Sequence, residues 1–275
     1  MSSNNTVASA DMAQHEQQYR KGREDQYNYH EPARYDMEAN HSPVRSLPRA
    51  YVSQVYDPTF FSVANPGPLG LISFALTTLV LGFYQCGVGL PESNPFGGIG
   101  PDQAVFGLAV FFGGAAQFVA GLMEFRVGNT FGTTVHCSYG AFWLSFSMFI
   151  VPSLGIRDAY HGDARAFSVA MGVFLIAWCL LTILFVIAAL RTNIAILAVL
   201  STLALAFFLL ALAQFLQVPH PVAAVRVNRA GGGVSIICAL LAFYAGGSGI
   251  MREETTWVSF PLGEINVKKP VEKRA

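Results

Sequence analysis

AFSVAMGVFLIAWCLLTILFVIAAL, residues 166–190, and IAILAVLSTLALAFFLLALAQFLQV, residues 194–218, hold no Asp, Glu, Lys or Arg, and only Arg191, Thr192 and Asn193 part them. About 20 apolar residues cross the hydrocarbon core of a bilayer as an α-helix. A charge at the bilayer centre costs about 2.5–3.5 kcal/mol on insertion scales. Two such runs joined by so tight a turn read as two membrane helices running in opposite directions.

The same pattern recurs outward from this pair. Leu69–Leu90, Ala104–Met123, Phe131–Val151 and Ala230–Met251 are further apolar stretches with every charge at their edges. Prolines and glycines break the chain between them: Pro91, Pro95, Gly97, Gly98, Gly100 and Pro101 after the first, Pro152 and Gly155 after the third, Pro219 and Pro221 after the fifth. The expected fold is therefore an all-α membrane protein with six transmembrane helices. Composition agrees: 12% of residues are charged, against about 25% in soluble domains. Residues 1–58 are polar without periodicity and read as a disordered cytoplasmic tail. Residues 59–251 form the transmembrane domain and 252–275 a second polar tail. No short apolar run follows the N-terminus, so no signal peptide is expected.

Orientation follows from Lys and Arg. With both tails cytoplasmic, thirteen lie on the cytoplasmic side and four (Arg157, Arg165, Arg226 and Arg229) on the other. On that orientation the sequon Asn4-Asn5-Thr6 stays in the cytosol. Cys86, Cys137, Cys179 and Cys238 fall on four different spans, which suits packing. No nucleophile–base pair and no metal-ligand cluster is visible, so neither an enzyme, a metal nor a cofactor is expected, and no nucleic-acid partner.

With the membrane region free of charge, uncharged polar groups carry the chemistry. Spans one to three concentrate them: Ser73, Thr77, Thr78, Tyr84, Gln85, Gln117, His136, Ser138 and Tyr139. Spans four and five hold far fewer. The first three spans therefore read as walls of a polar path. Helix-to-helix hydrogen bonding is the competing account of each group. Glu124 with Arg126 closes span two, either as a local ion pair or as a proton or substrate gate. The dense small residues of spans two and six allow close helix packing, within one subunit or between subunits. In Asn65-Pro-Gly-Pro-Leu-Gly-Leu71 the prolines suit a first helical turn, and Asn65 can cap it while offering an amide to a passing group.

Asn65 to Leu71 resembles the signature of the acetate uptake transporter family, the succinate–acetate permeases. The likeness continues through Phe111-Phe112-Gly113-Gly114-Ala115-Ala116-Gln117, Gly121-Leu122-Met123-Glu124-Phe125, Gly128-Asn129-Thr130-Phe131-Gly132 and Ser138-Tyr139-Gly140-Ala141-Phe142-Trp143. It covers about residues 60 to 252, and the long polar N-terminal tail resembles the fungal plasma-membrane branch. Gly67 departs from the family's usual Ala, and His136 from an aromatic residue in a bacterial relative.

The resemblance implies six helices, cytoplasmic tails, a homo-hexamer in the lipid bilayer of the plasma membrane, and one path in each protomer. It implies an apolar constriction of a Phe, a Tyr and a Leu, which motif position puts on Phe74, Tyr139 and Leu203. It puts Ala242 where a small residue affects substrate size. Taken with the polar groups read above, the expected substrate path comprises Asn65, Phe74, Thr77, Thr78, Gln117, Glu124, Asn129, Thr130, Ser138, Tyr139, Leu203 and Ala242. The implied cargo is acetate and other small monocarboxylates, moved with protons.

The physics of such a cargo fits. A carboxylic acid with a pKa near ~4.3 is roughly one part in 500 neutral at pH 7. Moving its anion into a negative cell costs about 2.3 kcal/mol per 100 mV, which a co-transported proton removes. The alternatives are an acetate-permeable anion channel without obligatory proton coupling, an acetate sensor, and a water or glycerol channel suggested by the Asn-Pro pairs at 65–66 and 94–95.

Overall fold

Residues 64–87, 104–252 and 254–265 are described by a computed structural model. The expected tail 1–58, the sequon at Asn4, the loop from Pro91 to Pro101 and the end of span one at Leu90 lie outside the described residues. The bundle belongs to one compact unit, Phe60–Ala275.

Among the described residues, six long helices account for the apolar stretches. Helix α1, Gly67–Cys86, starts with Pro68 in its first turn and stops at Gly87, whose left-handed φ of 73° any side chain would oppose. Helix α2 runs over Leu108–Arg126; its first half, Leu108–Ala116, is π-helical and its second half, Gln117–Arg126, α-helical. Helices α3 (Thr130–Ile150), α4 (Ala164–Ala189) and α5 (Ile194–Leu216) share one starting device. A side-chain oxygen of Asn129, Asp163 or Asn193 accepts from the backbone N–H three residues on, at 2.9, 2.9 and 2.8 Å. Each satisfies one of the donors that a helix start leaves open. Helix α6, Pro221–Ser248, begins nine residues before the expected Ala230. Its first turns carry Arg226, Asn228 and Arg229, which interrupted the apolar pattern without interrupting the helix.

Five of these helices (α1, α2, α4, α5 and α6) are long and apolar enough to cross a membrane. Helix α3 has 21 residues, about 31 Å at 1.5 Å per residue, and is more polar, with Thr130, Thr133, Thr134, His136, Ser138, Ser145 and Ser147 along it.

The helices close into a ring in chain order. Helix α1 lies along both α6 and α2, α2 along α3, α4 along α5, and α5 along α6. Small residues make most of these seams. A Cβ on Gly232 of α6 would lie 2.8 Å from the backbone nitrogen of Cys86 in α1, and one on Gly121 of α2 would lie 2.6 Å from that of Cys137 in α3. The seam between α3 and α4 is built differently, from rings. Tyr139 meets Phe185 edge-on at 5.7 Å and Phe142 meets Trp178 at 5.2 Å. The core is where these rings meet Phe74, Leu175, Leu203, Phe207 and Ala242.

Past α6 the chain turns back. Tyr244 stacks on Phe260 at 4.9 Å and donates its hydroxyl hydrogen to the Pro261 carbonyl at 2.7 Å. The backbone nitrogens of Ile194 and Ala195 then donate to the carbonyls of Gly263 and Leu262, at 2.9 and 3.1 Å. The C-terminal segment thereby completes the start of α5.

Candidate functional site

A cavity of about 290 Å³ opens at the end of the ring that carries the α3–α4 connection. Its upper wall is polar: Tyr84 and Gln85 from α1, Gln214 and Gln217 at the end of α5, Asn228 and Ser235 from α6. The Asn228 amide donates to the Gln85 carbonyl at 3.3 Å, fixing α6 to the last turn of α1. Arg157 and Asp158, from the α3–α4 connection, are the charged side chains among the described lining residues. The Arg157 guanidinium lies over the Phe167 ring, 5.4 Å from its centroid, a cation–π contact that holds a positive charge at the cavity.

Deeper in, the walls turn apolar and aromatic, with Phe142, Trp143, Phe146 and Phe207, and the floor holds Phe74 and Leu203. Tyr139 backs the floor: its ring centroid is 5.8 Å from that of Phe74, and it is buried. Phe74, Tyr139 and Leu203 thus come together from α1, α3 and α5. The Tyr139 hydroxyl donates to Thr182 Oγ1 at 3.0 Å, and Thr182 donates to the Trp178 carbonyl at 2.8 Å. The tyrosine's only hydrogen is therefore committed to α4, so what it presents to the floor is its ring.

A second polar cluster occupies the opposite end, around the start of α1. The Asn65 Oδ1 accepts from the Gly67 N–H at 3.0 Å. A Cβ on Gly67 would sit 3.2 Å from that oxygen and 3.4 Å from Glu124 Oε1, so the asparagine and the carboxylate converge on this glycine. Gly67 thus gives these two side chains room that the family's usual Ala would narrow. Glu124 is buried and its Oε2 accepts from Asn129 Nδ2 at 2.8 Å. Asn129 also caps α3, so one side chain links the carboxylate to the start of the helix that carries Tyr139. His136 packs its imidazole against Gly70 of α1.

The remaining sequence candidates scatter. Thr78 lines the cavity one turn above Phe74. Thr77, one residue earlier and so turned by about 100°, faces Gly113 of α2 and gives its hydrogen to the Ser73 carbonyl at 2.9 Å. Gln117 and Ala242 are buried and are not in the cavity's lining. Ser138 is half-buried, and Asn129 and Thr130 are exposed at the helix start. The sequence reading passed over Arg157, counted there only for orientation, and Thr182, whose link to Tyr139 spans 43 positions. It also passed over Asn228, which lay ahead of the apolar run.

Comparison with known proteins shows the family. The profile of the GPR1/FUN34/yaaH family matches residues 52–267. A Saccharomyces cerevisiae relative, ammonia transport outward protein 2, is 37% identical over 198 residues, covering 71% of this chain and 64% of the relative. The chain thus spans a little under two thirds of that relative's length. The succinate-acetate/proton symporter SatP of Escherichia coli K12 is 30% identical, over 74% of this chain and 96% of SatP. A solved structure described as the bacterial acetate channel SatP superposes with a TM-score of 0.60 at 30% identity, covering 73% of this chain and 99% of its own. The chain belongs to the GPR1/FUN34/yaaH family, and the neighbours named here are transporters or channels, not enzymes.

Proposed function

We propose that this member of the family carries acetate and other small monocarboxylates across the plasma membrane together with protons. In this reading α3 completes six spans, both tails are cytoplasmic, and each protomer of a homo-hexamer holds its own path. The observation that carries it is the meeting of Phe74, Tyr139 and Leu203, from three helices, beneath a cavity with amide-rich walls.

Each part has a physical task. The amides of Gln85, Gln214, Gln217 and Asn228 can replace part of a carboxylate's water shell, as polar linings do in channels. Arg157 draws the anion toward the cavity. The aromatic and Leu floor passes acids by cross-section, and a proton moving with the anion removes the cost of carrying its charge into a negative interior. Glu124, a buried carboxyl at the far end held by Asn129, is the group suited to take up that proton and pass it on. Intramembrane ionisable residues are ordinarily functional.

Radiolabelled acetate uptake by the purified chain in proteoliposomes tests the reading. Influx should rise as outside pH falls and collapse with a protonophore. Uptake indifferent to both refutes the coupling and leaves the second reading, an anion channel. The fixed positive charge of Arg157 at the cavity favours that one, since it receives an anion without needing a proton. Specific acetate binding without flux would instead leave a sensor. Ammonium flux without acetate flux would align the chain with what the yeast relative's name describes.

A further inference from the structure

We infer that the seam between α1, α2 and α3 is a hydrated proton path, separate from the route of the acid through the aromatic floor. The inference rests on the proton-coupled reading above. Within the bundle, Thr133 Oγ1, His136 Nδ1, Gln117 Oε1, Thr78 Oγ1 and Trp143 Nε1 are all buried and have no hydrogen-bond partner in the protein. Their residues are 5%, 6%, 1%, 5% and 2% exposed. Helices α4 and α5 contribute no such atom among their described residues. A buried polar atom left unpaired is costly, and lipid offers it no partner. Five in one seam are best satisfied by water, as buried polar groups commonly are.

Helix register puts these groups in sequence along the seam. Gly67 sets the level of Glu124, and Gly70, one turn on, the level of His136, whose Nδ1 would lie 2.5 Å from a Cβ there. Thr133 lies one turn before His136 on α3, towards Glu124. Gln117 lies one turn from Gly121, which meets Cys137, and one turn from Gly113, which meets Thr77. It therefore falls between the His136 level and the Thr77–Thr78 level. Thr78 and Trp143 both line the cavity. The order is Glu124 with Thr133, whose neighbour Gly132 lies against the Glu124 carboxyl, then His136, Gln117, and Thr78 with Trp143, one step about every 5.4 Å of helix.

At the level of Phe74 and Tyr139, seven residues along α1 from Gly67, the file steps through Gln117 of α2, seven residues from Glu124. The titratable groups that face it are Glu124 from α2, and His136, Cys137 and Tyr139 from α3; the facing part of α1 brings none. Arg126 lies exposed just beyond Glu124. A proton taken from cavity water passes along this file, is held on the Glu124 carboxylate, and is released at the Asn65–Asn129 end. No other bond is made or broken, and nothing is oxidised.

Thr133→Val and His136→Phe, made separately in the full chain, test this in proteoliposomes after subtraction of flux through protein-free vesicles. Three quantities are read: acetate exchange at equal acetate on both sides, lumen acidification per acetate taken up, and the dependence of net influx on a valinomycin-imposed potential. The unmodified chain should acidify the lumen and ignore the potential. Each variant should keep exchange within about twofold while acidification per acetate falls at least about tenfold, and net influx should become potential-driven. Thr133→Ser, which keeps the hydroxyl, should behave as the unmodified chain. Acidification unchanged in both variants overturns the inference. So does a joint loss of exchange and acidification in a variant that still elutes as the native oligomer. An unmodified chain that fails to acidify the lumen overturns the coupling reading itself, and this inference with it.

Discussion

Helices α4 and α5 and helices α1 to α3 solve the same problem in opposite ways. The α4–α5 pair is apolar along most of its length, Gln214 and Gln217 at the cavity apart, and Thr182 and Thr202 are satisfied within their own helix, on Trp178 and Ala198. The α1–α3 set brings backbone close to backbone at Gly121 and Gly140, seats side chains of its neighbours on Gly67, Gly70 and Gly113, and buries polar atoms that nothing in the protein pairs. The first kind of surface can meet lipid or a neighbour without rearrangement. The second tolerates almost no change in volume and leaves polar capacity unused.

The largest expected effect lies in the crowded half. Gly121→Val would drive a side chain into the backbone of Cys137. Overpacking a core costs about 1–3 kcal/mol, more where the obstacle is backbone. The variant should lose most of its monodisperse yield and its thermal-unfolding midpoint should drop; an unchanged midpoint would break the contrast between the halves. Leu203→Ala tests where they meet. Leu203 is buried at the cavity floor, so its truncation should destabilise by less than the ~2–5 kcal/mol of a closed core site. Competition assays should then show lactate and succinate gaining on acetate; an unchanged acid profile would make Leu203 packing alone.

Tyr139→Phe should act more gently. It removes the bond to Thr182 and costs about 0.5–1.5 kcal/mol, while the ring keeps its place against Phe74. Acetate flux should fall modestly with the acid profile unchanged; a widened profile would mean that the hydroxyl sets the width. Leu180→Ala, on the exposed outer face of α4, should shift stability within about 0.5 kcal/mol and leave flux as it was. A large loss there would show that the apolar half also carries a specific contact.

The same division decides what the sequence could reveal. Helices α4 and α5 were legible to within two residues, since Arg165, Arg191 and Asn193 bound runs that hold no charge. The start of α6 was not, because Arg226 and Arg229 in a helix extending past the apolar run look like a loop. The π-helical course of Leu108–Ala116 was hidden in a stretch of small residues that spoke only of close packing. Such wide turns are rare and collect at functional sites. Motif likeness could nominate Phe74, Tyr139 and Leu203. It could not say that the tyrosine's hydrogen points to Thr182, nor that Thr77 and Thr78 part company, because partners across helices have no signature in either sequence.

The C-terminal segment gives the molecule an anchor point. Its carbonyls at Leu262 and Gly263 hold the first amides of α5, and Leu203 lies nine residues further along that helix, about 14 Å at 1.5 Å per residue. Helix α5 is a stiff lever with one end tied to the tail and the cavity floor partway along its arm. Cutting the chain before Leu262 would strip those amides of their partners and leave the lever unpinned at its base.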